Sequence, residues 1–327
     1  MNRTGGALIA AVVVAVGGVG LVATTDGDSP DPQTSATPTA SPPAENPPDA
    51  PLVTTSPENP PNAVKKALVI WVENHSLTQM RRDMPYVRGL GDTYAWADDS
   101  YGSVHPSQGN YIIAASGVKR VSDNNFHALS GPSIFGMTIA NGKKAKTTAQ
   151  GMGTNCRISS RGAYRGNDHN PWTSFKDETA LCRKYDKDYS TWKGIVEKGW
   201  LGNVHFLIPD DDHNGHDRSL KVADAFIKSA LAPVFAGPDW KSGNLMIIVT
   251  ADEDDKSSGQ HILTVVVHPS QKGRGKVDTP RLDQYSLHET LARVANVTPL
   301  GTRWKTNPDF ANAFDLPVWK DPEVVAP

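Results

Sequence analysis

The sequence lacks a strong excess of either charge, and it lacks several short motifs that mark common enzyme sites. Its 33 Lys and Arg residues against 35 Asp and Glu residues give a formal net charge of −2. This balance excludes a strongly basic nucleic-acid binder and a strongly acidic tail protein. The chain also contains no Gly-x-Ser-x-Gly elbow, His-Glu-x-x-His pair, Gly-x-x-x-x-Gly-Lys loop or Gly-x-Gly-x-x-Gly fingerprint. A reaction site must therefore be built from another arrangement of residues.

The first 62 residues have little that could form a packed domain. Arg3 precedes an uncharged run over residues 7–23, whose length is at the border between a signal-peptide core and a membrane span of ~20 residues. Residues 24–61 are rich in Pro, Ser, Thr and Asp, so they cannot bury enough surface to offset the entropy of ordering. We predict a signal peptide or N-terminal membrane anchor in residues 1–23, a disordered stalk in 24–62 and one folded catalytic domain in 63–327.

The N-terminal pattern predicts an exported body, because a positive charge before an apolar run favours a cytoplasmic N-terminus. The protein would be secreted, or held at the cell surface in association with the membrane or cell wall. Only two cysteines are present, Cys156 and Cys182. In an oxidising compartment they could form a disulfide, and two unpaired buried thiols are the alternative.

Short apolar runs alternate with helical patterns along the body. The runs predict buried strands at 67–72, 203–208, 245–250 and 262–267. The helical patterns lie at 191–198, 219–232 and 286–295, and the last opens with Ser286 and Glu289 at the spacing of a capping box. This alternation predicts an α/β fold with a mainly parallel central sheet and helices on both faces.

Polar residues follow three of the predicted strands at the point where each strand ends. The segments are Glu73-Asn74-His75, residues 210–217 and residues 252–255. Ligands bind beyond the carboxyl ends of parallel strands, and carboxylate and amide oxygens suit a hard divalent cation. The pattern therefore predicts a metal or catalytic site at this edge, although any one acidic strand end taken alone is typical of a solvated turn.

A fourth polar segment runs from His105 to Asn110. Pro106 can start a helix, which would put Ser107 near a helix N-terminus, where free N–H groups favour an anion. A serine hydroxyl at that position could attack phosphorus if a metal lowered its pKa. The alternative is a helix-capping serine without chemistry.

Six segments in order carry a family resemblance. They are Glu73-Asn74-His75-Ser76, Ser107-Gln108-Gly109-Asn110, His169-Asn170-Pro171-Trp172, His213-Asn214-Gly215-His216-Asp217, Asp252-Glu253 with Gly259-Gln260-His261-Ile262, and Tyr285-Ser286-Leu287. Together they resemble the phosphoesterases of the acid phosphatase and phospholipase C type, within the alkaline-phosphatase-like superfamily. The resemblance covers about residues 67–300. This sequence departs from the family pattern at His75, where the family has arginine, at Gly109, where it has proline, and at Gln260, where it has aspartate.

The resemblance implies roles for matching residues. Glu73, Asn74, Asp252 and Glu253 would bind a divalent cation of unidentified type that also contacts Ser107, the nucleophile that becomes a phosphoserine. Asn110 and Asp217 would help to bind or orient the substrate. The candidates for proton transfer and charge stabilisation are His105, His169, His216 and His261.

The substrate class follows less directly. Phospholipases C of the family tend to carry extra C-terminal domains, and the body here ends soon after the closing helix. We therefore expect an exported, metal-dependent phosphomonoesterase of acid phosphatase type that takes a phosphoester and no nucleic acid. A phospholipase C that cleaves phosphodiester head groups is the first alternative. A surface protein that binds a ligand without turnover is the second.

Overall fold

The computed structural model describes residues 53–55, 58–321 and 323–325. Eight of its strands form one sheet in the order β5-β4-β6-β2-β7-β8-β3-β9, and β1 pairs with β10. The strands are β1 (Val53–Thr55), β2 (Lys66–Val72), β3 (Ala95–Ala97), β4 (Ala145–Ala149), β5 (Asp186–Asp188), β6 (Val204–Ile208), β7 (Leu245–Ala251), β8 (Thr264–Val267), β9 (Gly275–Val277) and β10 (Glu323–Val325).

The central sheet is mainly parallel, as the sequence predicts. Strands β5, β4, β6, β2 and β7 pair in parallel with their neighbours, whereas β8 runs antiparallel to both β7 and β3. The carboxyl ends of β2, β6 and β7 therefore meet at one edge, which we call the catalytic edge. The opposite edge, where these strands begin, is called the amino edge.

Helices cover the two faces of the sheet. They are α1 (Leu77–Asp83), α2 (Pro85–Thr93), α3 (Ser107–Ser116), α4 (Ile134–Ala140), α5 (Thr179–Tyr185), α6 (Trp192–Glu197), α7 (Leu220–Ala236), α8 (Pro238–Lys241), α9 (Gln284–Ala295) and α10 (Phe310–Ala313). Alternate side chains of β2 point into two separate buried clusters: Val69 and Trp71 pack in one, and Leu68 and Ile70 in the other. Because both faces are buried, the strand is apolar from Ala67 to its end at Val72.

Most predicted elements are present with small changes of boundary. Strand β7 extends one residue past the predicted end, and α7 continues through Pro233 to Ala236. Strand β8 begins at Thr264 rather than at residue 262, and it is the antiparallel member of the sheet. Strands β3, β4, β5 and β9 have three to five residues each, which is too short for a clear apolar run.

The capping-box prediction for the last long helix is wrong in its residues. Helix α9 begins at Gln284, and its N-cap is Asp283, whose Oδ1 accepts hydrogen bonds from the backbone N–H groups of Tyr285 and Ser286. Ser286 is the third helical residue and accepts from the Asp283 N–H through its hydroxyl. The box is real but lies three residues earlier, because a carboxylate caps the helix where a serine was expected.

The predicted signal or anchor and most of the predicted stalk lie outside the described residues. The end of the stalk region contacts the body: Asn59 Nδ2 donates to the Lys320 carbonyl over 2.9 Å, and the Lys320 N–H donates to Asn59 Oδ1 over 2.8 Å. Within the described ranges, no helix is long and apolar enough to cross a membrane. The domain boundary at residue 62 stays a prediction.

Candidate active site

Three loops at the catalytic edge and the N-terminus of α3 bring the candidate residues together. Glu73 directly follows β2, and Asp252 and Glu253 directly follow β7, its parallel neighbour. The Asn74 N–H donates to Asp252 Oδ1 over 3.2 Å, so the two strand ends are joined by a hydrogen bond. Asn74 has a φ of 49°, a left-handed conformation that asparagine tolerates better than most residues.

Ser107 lies at the centre of this group as the first residue of α3. Its Oγ is 3.3 Å from Glu73 Oε2, 3.3 Å from Glu253 Oε1 and 3.4 Å from Asn74 Oδ1. Pro106 is the N-cap, and its side chain supplies no capping hydrogen bond. The hydroxyl therefore lies beside three oxygen ligands at a helix N-terminus, where N–H groups and the helix dipole favour negative charge.

The carboxyl groups around Ser107 repel one another in a buried setting. Burial raises the pKa of Glu73 well above its ordinary value, and the Asp252 carboxylate raises it further. Burial and Asp252 likewise raise the pKa of Glu253 to about 8. The pKa of Asp252 is also raised, first by burial. Such a group gains stability from a positive charge placed among its oxygens.

The same group has the composition of a cation site. Asp252 Oδ2 is buried and has no hydrogen-bond partner among the described residues. An unpaired buried carboxylate oxygen is costly, and a divalent cation would satisfy it. The oxygens of Glu73, Asn74, Asp252 and Glu253 are hard ligands of the kind that Mg²⁺, Mn²⁺ and Ca²⁺ take, so the residues present fit a divalent cation.

His169 links this group to the end of β6. Its Nε2 is 3.5 Å from Glu73 Oε2, and its Nδ1 is 3.3 Å from Asp211 Oδ1. Burial by itself lowers the pKa of His169, but the Glu73 and Asp211 carboxylates outweigh it and hold the pKa at about 10. Asp211 also receives Arg165 Nε at 2.5 Å and Asn214 Nδ2 at 3.0 Å. The hydrogen bonds and the charge of His169 outweigh burial at Asp211, whose pKa falls to about 2.

Asn110 and Tyr111 support the group from within α3. Asn110 is fully buried, its Oδ1 accepts the N–H groups of Ser103 and Val104, and its Nδ2 donates to the Val104 carbonyl and to Glu253 Oε2. These bonds occupy its amide in holding the loop before α3. Tyr111 donates its hydroxyl to Glu73 Oε1 and fixes that carboxyl group.

His105, His216 and Asp217 lie on the rim of the site. His105 is half-buried, with Nδ1 2.9 Å from Glu253 Oε2 and Nε2 3.3 Å from Asp254 Oδ1. His216 is exposed, bonds Asp217 Oδ1 over 2.7 Å, and has its ring centre 6.3 Å from that of His169. Ligand atoms of Asp211, His216 and Asp217 lie within 4.8 Å of one another, which gives the rim an acidic cluster of its own.

The comparisons with known proteins agree with this architecture. The model of the Phosphoesterase family matches residues 69–298, a range that contains every candidate site residue. The chain belongs to the phosphoesterase family. It is therefore a hydrolase that acts on phosphoric esters.

Two curated relatives of this phosphoesterase carry phosphatase names. It is 25% identical over 243 residues to a phosphatidylinositol-3-phosphatase of Mycobacterium tuberculosis, a match that covers 72% of this chain and 78% of that one. It is 25% identical over 250 residues to a probable acid phosphatase of Kluyveromyces lactis, a match that covers 68% of this chain and 56% of that one. The chain thus spans little more than half of the second relative.

Solved structures support the fold. A protein in the alkaline phosphatase superfamily from Vibrio parahaemolyticus matches this phosphoesterase with a TM-score of 0.50 at 14% identity, over 79% of this chain and 73% of that one. At this identity the likeness concerns the fold alone. Together with the family match, it confirms the predicted alkaline-phosphatase-like α/β fold.

His261 is a predicted site residue, but its side-chain contacts are with residues outside the group around Ser107. Its Nε2 bonds the Asp98 carbonyl over 2.7 Å, and its ring stacks on Tyr101 with centres 5.0 Å apart. The preceding residue, Gln260, accepts the Asp254 N–H and donates to the Val104 carbonyl. The amide that stands where the family has a carboxylate therefore ties two loops of the site together.

Three further residues contribute to the site, and the sequence motifs do not single them out. Asp211 is the buried acid of the run over residues 210–212. Tyr111 follows Ser107 by four residues on one helix, and this spacing puts two side chains on the same face. Asp254 is buried and caps its own turn by accepting the N–H groups of Lys256 and Ser258.

The predicted cysteine pair is present as a disulfide. Cys156 and Cys182 are bonded, with Cα atoms 5.4 Å apart and a sequence separation of 26. Beside the bond, Asp186 Oδ2 accepts from Asn170 Nδ2 over 2.9 Å. Asn170 is adjacent to His169 in the chain, so the disulfide closes the loop that carries this histidine.

Proposed function

We propose that this phosphoesterase is a metal-dependent phosphomonoesterase that works through a phosphoserine formed on Ser107. The observation that carries the proposal is the position of Ser107 Oγ at the N-terminus of α3, within 3.4 Å of oxygens from Glu73, Asn74 and Glu253. Ser107 is only 3% exposed, and the half-buried His105 and the exposed His216 lie on the rim of the site.

The first step is an in-line displacement at phosphorus. The Ser107 hydroxyl gives up its proton to a neighbouring carboxylate, Glu73 or Glu253, and Oγ forms a bond to phosphorus as the bond to the leaving alcohol breaks. The leaving oxygen takes a proton, for which His105 and His216 on the rim are the candidates. Water then attacks the phosphoserine and releases inorganic phosphate and the free serine.

The remaining residues bind and neutralise charge. Glu73, Asn74, Asp252 and Glu253 would hold the cation, which when bound offsets the carboxylate repulsion and stabilises negative charge on the reacting oxygens. The positive end of the α3 dipole would favour the negative charge of the phosphoryl group, while the N–H groups of Gln108 and Gly109 donate to Asn124 Oδ1 and to the Pro106 carbonyl. His169, held by Asp211, adds a positive charge beside Glu73.

A phosphomonoester is favoured over a phosphodiester. The two relatives are named as phosphatases, a phosphatidylinositol-3-phosphatase and a probable acid phosphatase, and neither is named as a phospholipase. The amide of Asn110 is already hydrogen-bonded, and His169 is buried. Few polar groups therefore remain to bind the second ester group of a phosphodiester. Cleavage of phosphodiester head groups is the alternative that the assay below separates.

Export is part of the proposal. Arg3 followed by the apolar run of residues 7–23 supports translocation, and the Cys156–Cys182 disulfide of the described body suits an oxidising compartment. We infer secretion or display at the cell surface. Recovery of the mature protein from the cytosol with both cysteines reduced would contradict this assignment.

The decisive assay compares two chromogenic substrates with the full chain. Hydrolysis of a phosphomonoester and of a phosphocholine diester is measured between about pH 5 and about pH 8, with and without a chelator. We expect faster release from the monoester, loss with chelator and recovery on addition of a divalent cation. Ser107→Ala should lower kcat by roughly 10⁴-fold or more, and phosphate trapped by acid quenching should be found on Ser107 in the parent protein.

Ser116→Ala is the matched control, because this serine lies at the other end of α3 and bonds only backbone carbonyls in the described contacts. Faster hydrolysis of the phosphocholine diester than of the monoester would support the phospholipase C alternative. Absence of turnover of either ester with any divalent cation would favour a ligand-binding protein.

A further inference from the structure

A groove lined by lysines and aromatic rings lies at the amino edge, opposite the active site. Its volume is about 240 Å³, and its lining includes Lys143, Lys144, Lys146, Tyr185 and Trp200. Strand β4 begins at Ala145, and Trp200 lies just before β6. Because β4 and β6 are parallel neighbours, their first residues meet at this edge. We call this surface the lysine groove.

An exposed tryptophan stands among the lysines. Trp200 is 51% exposed, which is unusual for a large aromatic side chain. Lys198 Nζ lies 4.7 Å from its ring centre, and Lys146 Nζ lies 5.9 Å from it on the groove side. A large ring with a polar N–H, flanked by long cationic side chains, suits a boundary between water and an apolar phase.

The positive charge of the groove is only partly neutralised. Lys66 is paired with Asp239 over 2.5 Å, and Lys143 with Asp321 over 2.9 Å. Among the described residues, Lys144, Lys146 and Lys198 have no carboxylate within salt-bridge distance. Burial lowers the pKa of Lys146, and the charges of Lys144, Lys187 and Lys66 lower it further. This crowding favours a partner that brings negative charge.

The chain enters the folded body at the same edge. Ala63 and Val64 lead directly into β2, and Lys65 Nζ lies 3.6 Å from the ring centre of Trp319. The residues before this point include the predicted signal or anchor. The lysine groove and this entry point therefore lie at the same end of the central sheet.

We propose that the lysine groove and Trp200 dock the protein on an anionic lipid surface. Lysine ammonium groups would contact lipid phosphates, and the Trp200 ring would enter the interfacial layer. The catalytic edge lies at the other ends of the same strands and would face away from that membrane. This orientation favours soluble phosphomonoesters, or esters on another surface, over lipids of the membrane to which the protein is bound.

The test measures binding of the full chain to vesicles. One set contains phosphatidylcholine alone, and the other contains about 30% phosphatidylglycerol. The variant Lys144→Gln/Lys146→Gln/Lys198→Gln is compared with Lys221→Gln/Lys228→Gln/Lys305→Gln, which changes three exposed lysines on other elements by the same charge. All proteins share the same N-terminal segment, so its contribution to binding cancels.

We expect the parent protein to prefer anionic vesicles, and the groove variant to lose roughly 100-fold in affinity for them, since each lysine near an anionic surface contributes a factor of several. The control variant should bind like the parent. Trp200→Ala should weaken binding to anionic vesicles without changing the salt dependence. Hydrolysis of a soluble monoester should be unchanged in all of them.

Equal affinity of the groove variant and the parent for anionic vesicles would overturn the proposal. So would equal affinity of the parent for the two kinds of vesicle. If the groove variant instead loses binding to inorganic polyphosphate while vesicle binding is unaffected, the groove takes a soluble polyanion and the membrane assignment is wrong. None of these readouts requires catalysis, so they stand apart from the test of Ser107.

Discussion

Asp211 follows β6 and lies beside both His169 and Arg165. Its negative charge helps to raise the pKa of His169. It receives the Arg165 guanidinium, the Asn214 amide and His169 Nδ1 within 3.3 Å. Because it contacts His169 rather than Ser107, we regard it as a positioning residue. Carboxylates that orient an active-site imidazole typically contribute 10-fold to 100-fold in activity or metal affinity.

Asp211→Asn should lower kcat by about 10-fold to 100-fold. It should also lower the pKa of His169 from about 10, because Asp211, one of the three carboxylates that raise it together with Glu73 and Asp168, becomes a neutral amide. Steady-state kinetics and NMR titration of the imidazole measure the two effects. Asp212→Asn is the control, since Asp212 is partly exposed and pairs with Arg218 on the surface. Full activity in a folded Asp211→Asn protein would remove this residue from the mechanism.

At the scale of elements, the loop before α3 is packed tightly against the helix. A Cβ added at Gly109 would lie 2.5 Å from Val104 Cγ2, which is closer than such atoms can approach. The backbone of Val104 is held by Asn110 and Gln260, so the loop cannot easily move away. The loop also carries His105 to the rim.

Gly109→Ala should therefore destabilise the protein by roughly 1 to 3 kcal/mol through overpacking and should lower kcat by displacing His105. Chemical denaturation and the monoester assay measure these effects. Adding Val104→Ala removes the clashing methyl group and should restore most of both. If the double variant is no better than Gly109→Ala alone, steric crowding is not the cause.

The Cys156–Cys182 disulfide is a second feature that acts at the scale of structural elements. It closes a loop with a sequence separation of 26, for which the chain-entropy model gives about 3.5 kcal/mol. Cys156→Ser/Cys182→Ser should lower the free energy of unfolding by about this amount, measured by denaturant titration. It should also reduce kcat, because the same loop carries His169. Reductant should have the corresponding effect on the parent protein and none on the double variant.

At the scale of the whole molecule, the buried carboxyl groups link stability to pH and to the cation. The folded protein holds a proton on Glu253 up to about pH 8, whereas the unfolded chain releases it near its ordinary pKa of 4.5. The folded state therefore binds more protons in this window, and its stability falls as the pH rises through it. A divalent cation held among these oxygens would take the place of the proton and remove the penalty.

We expect the cation-free protein to be less stable at about pH 8 than at about pH 5, and a divalent cation at 100 times its Kd to add about 2.7 kcal/mol at the higher pH. Thermal unfolding with and without cation measures both. Glu253→Gln should remove most of the stabilisation by the cation and reduce the loss of stability between about pH 5 and about pH 8. Other buried acids with a raised pKa, such as Glu289, should still contribute their part of that pH dependence. A cation effect that is unchanged in Glu253→Gln would exclude this residue as a ligand.

Much of the fold and several site contacts follow from local patterns. The run over 67–72 is apolar at every position, and the run over 245–250 is apolar up to its last residue, Thr250. Only strands covered on both faces need such runs. The acids that follow them, Glu73 and Asp252, had to emerge at one edge once the strands were parallel. The start of α3 at Ser107 followed from Pro106, whose ring suits the beginning of a helix.

Other features depend on contacts between distant segments. The short strands β4 and β5 gain stability from their neighbours rather than from their own residues, and β8 runs antiparallel although its sequence resembles that of β7. Nothing near His261 in the chain indicates that its ring stacks on Tyr101 and that its Nε2 bonds the Asp98 carbonyl. No local pattern distinguishes Asp211 from Asp210 and Asp212, and only packing buries it beside His169.

The sequence by itself determined the fold class, the edge that carries the chemistry and the nucleophile candidate, because apolar periodicity and helix-start signals act over a few residues. The tertiary structure decided which charges meet. Burial raises the free energy of Glu73, Asp252 and Glu253 as carboxylates, and the charge of His169, which comes from another segment, partly offsets this at Glu73 and Asp252. Arg165 pairs with Asp211 beside them. Electrostatic energy depends on distance and burial in space, and neither can be read along the chain.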